Sequence, residues 1–339
     1  MAEEEGLLLL ENADLLDLGR AAHAVRQRLH PAPYVTFVAD RNINYTNVCI
    51  CGCKFCAFHR DKDAGDAYVL TYDEVLAKVE ELVAAGGTQV LIQGGLNPDI
   101  DLEYIAGMFR AIKQRFTVEI HSLSPPEIVH LAGRSGLPVA EVLVRLKEAG
   151  LDSLPGGGAE ILVNRVRRII SPRKISWQQW MEVMRAAHRL GLKSTATMMF
   201  GSVETPAERI RHMIRVRDLQ DETGGFTAFI PWTYQPDHTA LGGTKVGASA
   251  YLRVLAVARL LLDNVPHIQA SWVTQGPRVA QIALFFGADD FGSTMMEENV
   301  VRAAGATYRI PPEEIIRVVK EAGFTPAQRT TQYRIIRTF

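Results

Sequence analysis

The chain has 339 residues, of which 47% are hydrophobic and 22% are charged, as in folded globular proteins and unlike disordered ones. Its formal net charge of -1 gives no positive field that would attract nucleic acid or an anionic membrane surface. The apolar run 7–10 is too short for a signal peptide, and no segment reaches the ~20 apolar residues of a membrane helix. We therefore expect a cytoplasmic protein with neither a nucleic-acid nor a membrane partner.

Helical and β-branched segments alternate along the chain. A helical period over residues 7–29 ends before Pro31, and each later β-branched run is followed by a polar or glycine-rich loop and then a helix. Capping-box sequences predict helix starts at Thr71, Ser176 and Thr205. The predicted strands cover residues 43–48, 88–93, 117–122, 151–154, 194–200, 226–230, 268–272 and 282–286.

Eight strands that alternate with helices predict an α/β fold, a (β/α)8 TIM-type barrel with an N-terminal helix and a C-terminal extension. The doubly wound alternative is weaker because the chain lacks the G-x-G-x-x-G fingerprint. We divide the chain into an N-terminal helical leader (1–40), the barrel (41–300) and a C-terminal extension packed on the barrel (301–339). In such a barrel the chemistry lies at the carboxyl ends of the strands.

All four cysteines lie between Cys49 and Cys56, at the end of the first predicted strand. A structural zinc site needs four ligands, normally from two separated knuckles, and no second knuckle is present. A cluster held by four thiolates would need a ferredoxin spacing that Cys49, Cys51, Cys53 and Cys56 do not have. The remaining subset is Cys49-x-x-x-Cys53-x-x-Cys56, which would leave one iron of a four-iron cluster without a protein ligand.

The pattern C-x-x-x-C-x-aromatic-C at the end of the first barrel strand resembles the signature of the radical S-adenosylmethionine (SAM) enzymes. The resemblance implies that Cys49, Cys53 and Cys56 hold a 4Fe-4S cluster, that S-adenosylmethionine binds the fourth iron, and that Cys51 is a bystander. One electron from the cluster would then cleave S-adenosylmethionine to methionine and a 5′-deoxyadenosyl radical.

The same resemblance suggests which other residues bind the cofactors. Glycine permits close backbone approach, so the segment after the second strand is expected to meet the methionine amino group. Glu160 is expected to bind the ribose hydroxyls or the ammonium group, with a solvated loop glutamate as the alternative. The cofactor-binding candidates are Phe55, Phe58, Gln93, Gly94, Gly95, Ser122 and Glu160.

Longer stretches narrow the resemblance to one subgroup of that family. "PGGGAEIL", "STATMMFGSVET", "DETGGFTAFIPW" and "GADDFGSTMMEENVV" resemble the dehypoxanthine futalosine cyclases of the futalosine route to menaquinone. In that reaction the adenosyl radical removes the ribose C4′ hydrogen, and the ribosyl radical adds to the benzoate ring. The alternatives are an aminofutalosine synthase, an FO-synthase-like radical SAM enzyme, and a non-catalytic iron–sulfur or zinc carrier.

The cyclase reaction also requires a base, because the ring radical must lose a proton to become aromatic again. The candidates at strand ends are His121, Glu204 and Asp289. The substrate carboxylate calls for a cation, for which Arg278 and Lys245 are candidates. The resemblance implies a small nucleoside-type substrate and an electron donor such as a flavodoxin or ferredoxin. We further expect the N-terminal helix or the C-terminal tail to close the top of the barrel.

Overall fold

The structure, a computed structural model, describes residues 1–339 and contains fourteen helices. The helices predicted from capping boxes begin where expected: the side chains of Thr71, Ser176 and Thr205 accept hydrogen bonds from the backbone three residues on. The N-terminal segment forms two helices, not one. The helices are α1 (Glu3–Asn12), α2 (Leu15–Leu29), α3 (Tyr72–Ala84), α4 (Leu102–Arg115), α5 (Pro125–Ser135), α6 (Val139–Ala149), α7 (Asn164–Ile170), α8 (Trp177–Arg189), α9 (Pro206–Thr223), α10 (Ala248–Leu261), α11 (Trp272–Gln275), α12 (Pro277–Ala283), α13 (Val300–Ala303) and α14 (Pro312–Glu321).

Eleven strands form one seven-stranded and one four-stranded sheet. All neighbouring strands are parallel except the last two. The strands are β1 (Tyr34–Val38), β2 (Asp40–Ile43), β3 (Gln89–Ile92), β4 (Glu119–Ser122), β5 (Ser153–Leu154), β6 (Lys193–Phe200), β7 (Phe226–Thr233), β8 (His267–Ile268), β9 (Asp290–Ser293), β10 (Thr325–Arg329) and β11 (Ile335–Thr338).

The strands close into a ring. β1 and β2 are one strand interrupted only at Ala39, and the larger sheet continues from β2 to β8 in chain order. β9 pairs with β1, and it meets β8 through hydrogen bonds from Asp289 N to Ile268 O (3.1 Å) and from Ala270 N to Asp290 O (2.9 Å). Counting β1 and β2 together, eight parallel strands surround the interior, which confirms the predicted barrel class.

Two of the predicted strands are misplaced. The first strand runs over Tyr34–Ile43 instead of 43–48, so it includes residues that we assigned to the leader. The apolar run 282–286 is not a strand: helix α12 covers its start, because Pro277 follows Gly276 in a left-handed conformation (φ +83°) and begins a helix. The eighth barrel strand is β9, which begins four residues beyond the end of the strand predicted at 282–286.

The inside of the barrel is partly hollow, and its mainly apolar lining carries several polar side chains. TIM-type barrels commonly fill this space with branched apolar side chains. Here the strands direct polar side chains inward around a cavity of about 390 Å³. They come from six of the eight ring strands or from the residue after one, and they include Asp40, Asn42, Gln89, Gln93, His121, Thr195, Thr197, Gln269 and Ser293. A cavity of this size accommodates a small-molecule ligand.

The C-terminal segment closes the amino end of the barrel. β10 pairs with β1, and Thr331 beyond it donates its hydroxyl to Oε1 of Gln89 (2.5 Å), at the start of β3. The backbone N–H of Thr331 also donates to Glu119, the first residue of β4 (2.6 Å). The expectation that this tail covers the top of the barrel is therefore wrong, because its contacts lie at the opposite end.

The N-terminal helices pack on the outside of the same region. A Cβ added to Gly19 of α2 would lie 2.7 Å from the ring of Phe286, and His30 contacts the carbonyl of Pro266 just before β8. The N-terminal helices therefore do not cover the top of the barrel either. None of the helices has the length and apolar character needed to cross a bilayer.

Candidate active site

The four cysteines lie on one loop that follows β2 and faces the cavity. Backbone hydrogen bonds fix the loop: Cys49 N donates to Arg60 O (3.0 Å), Ile50 N to Leu96 O (3.1 Å) and Lys54 N to Ile170 O (2.8 Å). The loop is thus tied to the segment after β3 and to the end of α7. Four thiols in one short loop, none in a disulfide, can coordinate a metal centre at the mouth of the cavity.

Cys51 is buried and forms hydrogen bonds with its neighbours. A hydrogen bond from Cys51 lowers the pKa of Cys49 to about 5 and that of Cys53 to about 7. Hydrogen bonds to Cys49 and Cys53 raise the pKa of Cys51 itself, whereas burial raises the pKa of Cys56. Because metals bind thiolates, the lowered pKa values of Cys49 and Cys53 suit two ligands of a metal cluster, and Cys56 would lose its proton when the metal binds.

The glycine segment after β3 packs against the cysteine loop. A Cβ at Gly95 would lie 2.1 Å from the carbonyl oxygen of Val48 and 2.8 Å from Cβ of Cys49, so only glycine fits there. Gly94 N donates to Oε1 of Glu127 (2.9 Å), and Gly95 N to Thr46 O (3.0 Å). The carbonyl oxygen of Gly94 accepts no hydrogen bond within the protein, and it is therefore free to bind a ligand amine.

Glu127 is a buried carboxylate that the sequence analysis missed. It accepts hydrogen bonds from Tyr45 Oη (2.9 Å), Ser124 N (2.7 Å) and Ser124 Oγ (2.6 Å), in addition to Gly94 N. The capping box at the start of α5 could have revealed it, since Ser124 is followed three residues later by a glutamate. With all these partners, Glu127 positions the glycine segment.

Glu160 lies in the cavity wall with two cations beside it. Its Oε1 is 3.0 Å from Nζ of Lys174, and its Oε2 is 3.6 Å from Nη1 of Arg167. Oε2 is buried and has no hydrogen-bond partner, and the backbone of Glu160 is in the left-handed region (φ +41°). An orphaned carboxylate oxygen held by a strained backbone suggests that a ligand supplies the missing partner.

Lys174 is a second site residue that was not among the candidates from the sequence. Burial acts to lower the pKa of its ammonium group, but the negative charges of Cys53 and Glu160 outweigh this and raise it. Its nitrogen lies 5.0 Å from the ring centroid of Phe55. The sequence signal was a basic segment, Arg173-Lys174, after α7, which has no motif that would separate it from an ordinary loop.

Most of the predicted cofactor residues meet at the cavity. Phe55, Phe58, Gln93, Gly94, Gly95 and Glu160 line it together with the cysteines. Ser122 does not: it is fully buried, and its hydroxyl donates to Ile92 O (2.7 Å). The side chain of Ser122 thus stabilises the β3–β4 pair.

The three predicted acid–base residues are not brought together. His121 lines the cavity, with Nδ1 2.6 Å from Oγ of Ser153, and burial lowers its pKa to about 3. Glu204 lies outside the cavity and is fully paired, accepting from Gly201 N (2.6 Å) and from Arg209 Nε (2.8 Å). Its role is to fix the loop after β6.

Asp289 lies at the amino end of β9, the opposite end of the barrel from the cysteines. Its Oδ2 is 2.5 Å from Nδ1 of His267, and its Oδ1 accepts from Ile268 N (2.9 Å). It does not line the cavity. Because the run 282–286 is the end of helix α12 followed by a turn, Asp289 precedes the true strand instead of following a strand.

The amino end of the cavity has a polar floor that the sequence analysis did not predict. Arg329 forms a two-point ion pair with Asp290, from Nε to Oδ2 (2.5 Å) and from Nη2 to Oδ1 (2.9 Å). The guanidinium carbon lies 3.8 Å from the ring centroid of Tyr333. We use "the floor" for the cavity-lining residues Asp40, Gln89, Gln269, Arg329, Thr331 and Tyr333.

Comparison with known proteins shows the family to which the chain belongs. The model of the radical SAM superfamily matches residues 43–216, and that of the CofH/MqnC C-terminal region matches residues 223–338. The cyclic dehypoxanthine futalosine synthase of Halalkalibacterium halodurans is 47% identical over 341 residues, covering 100% of this chain and 92% of that protein. Its counterpart in Streptomyces coelicolor is 49% identical, covering 97% of this chain and 84% of that protein.

An archaeal relative carries a different name. The 5-amino-6-(D-ribitylamino)uracil–L-tyrosine 4-hydroxyphenyl transferase of Methanopyrus kandleri is 45% identical, covering 94% of this chain and 89% of that protein. Among solved structures, methylornithine synthase superposes with a TM-score of 0.75 at 19% identity, covering 96% of this chain and 94% of that one. That likeness concerns the fold alone.

These matches confirm the family resemblance drawn from the cysteine spacing, and family membership implies a 4Fe-4S cluster and S-adenosylmethionine as cofactors. The chain belongs to the radical SAM superfamily and, within it, carries the CofH/MqnC C-terminal region.

Proposed function

We propose that the protein is a radical SAM cyclase that converts dehypoxanthine futalosine to cyclic dehypoxanthine futalosine in menaquinone biosynthesis. The observation that carries this proposal is the identity of 47% and 49%, over nearly the whole chain, with two synthases of that name. The cavity of about 390 Å³ supports it, because its apolar walls and several polar side chains give a nucleoside-type substrate both room and hydrogen-bonding partners.

Cys49, Cys53 and Cys56 are proposed to hold the 4Fe-4S cluster, with S-adenosylmethionine beside it. The cluster would supply the electron that cleaves S-adenosylmethionine and starts the radical reaction. The free carbonyl of Gly94 and the orphaned Oε2 of Glu160 suit the ammonium group or the ribose hydroxyls of S-adenosylmethionine. Lys174 suits its carboxylate. The aromatic rings of Phe55 and Phe58 complete this end of the cavity.

In the proposed reaction the substrate loses the hydrogen at ribose C4′, and the carbon radical adds to its own benzoate ring. The ring recovers its aromaticity by losing one proton and one electron, and that electron would pass to the oxidised 4Fe-4S cluster. His121 is the cavity group that we propose as the proton acceptor. Burial lowers its pKa to about 3, so the imidazole is neutral at physiological pH and can accept the proton.

A one-electron donor is also required, and we propose a small redox protein such as a flavodoxin or ferredoxin. Water and oxygen quench radicals, so the cavity must keep the substrate radical away from solvent. The closed amino end of the barrel serves that need from below, since β10 and the residues after it cover it.

The test is anaerobic reconstitution with iron and sulfide, followed by incubation with S-adenosylmethionine, dithionite and dehypoxanthine futalosine. We expect 5′-deoxyadenosine to form only with the nucleoside present, together with a product two hydrogens lighter than the substrate by mass spectrometry. Cys49→Ala is the control and should yield neither. Substrate-independent cleavage with the nucleoside left intact would contradict the cyclase assignment.

The archaeal relative at 45% identity supports a second candidate, transfer of the 4-hydroxyphenyl group of tyrosine to 5-amino-6-(D-ribitylamino)uracil. The same reconstituted enzyme decides between the two. Incubation with L-tyrosine and the ribitylaminouracil should leave both compounds unchanged if the cyclase is the correct assignment. A coupled product would favour the transferase.

A further inference from the structure

Two cations line the cavity, and they lie at its opposite ends. Lys174 is beside the cysteine loop, where it pairs with Glu160. Arg329 is in the floor, where it pairs with Asp290 at the start of β9. No other lysine or arginine side chain reaches the cavity. The two ends are therefore each equipped for a separate anionic group.

Arg329 keeps donor capacity after its protein contacts are counted. A guanidinium has five N–H groups. Three are used: Nε and Nη2 donate to Asp290, and Nη1 donates to Thr330 O (3.1 Å). Two N–H groups, one on Nη1 and one on Nη2, thus remain without an acceptor. The Arg329 side chain is only 5% exposed, so a ligand in the cavity is the natural partner for them.

Other floor residues add donors around the same place. Gln89 uses one amide N–H on Asp40 Oδ2 (3.3 Å), which leaves the second N–H unused. Gln269 makes no side-chain hydrogen bond within the protein, although it lines the cavity. The floor therefore offers several N–H groups and the guanidinium charge, a combination that suits a carboxylate.

The floor also lies at a suitable distance from the cysteine loop. The cavity-lining residues Gln89, Leu91 and Gln93 span the whole of β3, from the floor to the glycine segment. Four residues of extended strand correspond to roughly 13 Å. A substrate that carries a ribose at one end and a benzoate at the other can span this length.

We propose that the floor binds the benzoate carboxylate of the substrate, with Arg329 as the main donor, and so directs the ribose toward the cysteine loop. This inference rests on the proposed cyclase function and names the residues that set substrate orientation. It replaces the sequence-based candidates Arg278 and Lys245. Arg278 is exposed, and Lys245 pairs with Asp237 at the surface (2.7 Å), so neither reaches the cavity.

The negative charge of Asp40 does not argue against a carboxylate bound in the floor. Burial already raises the pKa of Asp40 to about 6, and a carboxylate placed beside it would raise the pKa further. Asp40 would then hold the proton and could donate a hydrogen bond to the substrate carboxylate. Asp290 is paired with Arg329 by its two-point contact, so it adds no unpaired negative charge to the floor.

The experiment compares dehypoxanthine futalosine with its carboxamide analogue, using the reconstituted holoenzyme. The amide has nearly the same shape as the acid but no charge. We expect the wild type to favour the acid in kcat/KM by roughly 10- to 100-fold, the usual effect of charge-assisted hydrogen bonds. Equal turnover of acid and amide would overturn the floor assignment and leave the cyclase assignment intact.

A paired variant, Arg329→Gln with Asp290→Asn, removes the cation without leaving a buried carboxylate unpaired. It should reduce the preference for the acid to less than about threefold, as expected once those charge-assisted bonds are lost. Arg278→Gln makes the same charge change at the surface and should keep the full preference. If the paired variant does not fold, Gln269→Leu serves instead, because the Gln269 side chain has no hydrogen bond within the protein to lose. This variant should reduce the preference for the acid over the amide in kcat/KM.

Retention of the full preference in either floor variant would overturn the proposal. If neither acid nor amide stimulates 5′-deoxyadenosine formation in the wild type, the cyclase function fails, and the floor assignment fails with it.

Discussion

The ammonium nitrogen of Lys174 lies 3.0 Å from Oε1 of Glu160, and the two side chains are 12% and 6% exposed. Lys174→Met would leave this carboxylate with only Arg167, 3.6 Å away. We expect a loss of about 3 kcal/mol in the free energy of unfolding of the apoprotein, the lower end of the usual cost of breaking a buried pair. Urea denaturation measures it, and S-adenosylmethionine binding should also weaken.

Lys245→Met is the matched control, because Lys245 and Asp237 are 2.7 Å apart but about half exposed. Exposed pairs contribute about 0–1 kcal/mol, so this variant should unfold almost like the wild type. Equal losses in the two variants would show that the buried pair has no special role.

Gly95→Ala should prevent cofactor assembly. The new Cβ would lie 2.1 Å from Val48 O, so the loop carrying Cys49 must move. We expect iron content after reconstitution to fall to a small fraction of the wild-type value. Gly133→Ala in α5 is the control, since nothing lies within 4 Å of its Cβ position and alanine favours helix by about 1 kcal/mol. Normal iron binding by Gly95→Ala would contradict the close fit of the two loops.

The cysteine assignment predicts different outcomes for four single variants. Cys49→Ala, Cys53→Ala and Cys56→Ala should each abolish the visible absorbance and the low-temperature electron spin resonance signal of the reduced cluster. Cys51→Ala should still bind iron and sulfide, because Cys51 is expected to form hydrogen bonds with Cys49 and Cys53 and not to bind the cluster itself. Loss of the cluster in Cys51→Ala would make Cys51 a ligand.

The raised pKa of Asp40 should make the free energy of unfolding depend on pH. Burial raises its pKa in the folded protein to about 6, from a value of 3.8 when unperturbed, so the folded state binds more protons between these pH values. The free energy of unfolding should therefore fall as the pH rises through this window, by on the order of 3 kcal/mol from this residue. Denaturation of the wild type and of Asp40→Asn, from pH 4 to 7, isolates the effect. Parallel pH profiles for the two proteins would contradict it.

Glu204→Gln tests a residue that the sequence suggested as a base. Its carboxylate accepts from Gly201 N, Ser202 N and Ser202 Oγ, and it pairs with Arg209. We expect a loss of about 1–3 kcal/mol in stability, with the turnover rate unchanged below the unfolding temperature. If turnover instead slowed by about 100-fold or more while stability stayed the same, a catalytic role would be restored.

Local patterns predicted much of the fold. The capping boxes at Thr71, Ser176 and Thr205 are correct because each depends only on residues three positions apart. The run 282–286 was assigned wrongly for the opposite reason: a short apolar run fits a strand or a buried helix equally well. That error moved Asp289 to the wrong end of the barrel.

The site residues likewise fall into two groups: those that local motifs reveal and those that only long-range contacts place in the cavity. Cys49, Gly95 and Glu160 were found because motifs at strand ends mark the carboxyl rim. Arg329 was not found, since its place in the cavity depends on contacts with Asp290 and with residues near the start of the chain. No local pattern connects positions so far apart along the sequence.

The pairing of β1 with β9 and β10 has a consequence for biosynthesis. Both partners of β1 are made about 250 to 290 residues after it. At ~5–20 residues per second, the backbone groups of β1 remain unpaired for roughly 12 to 58 s. Until β9 and β10 are made, β1 is an open edge of the growing sheet, and a chaperone or another nascent chain can bind to this edge. The synthesis of β9 and β10 thus sets the time at which β1 is protected from such contacts.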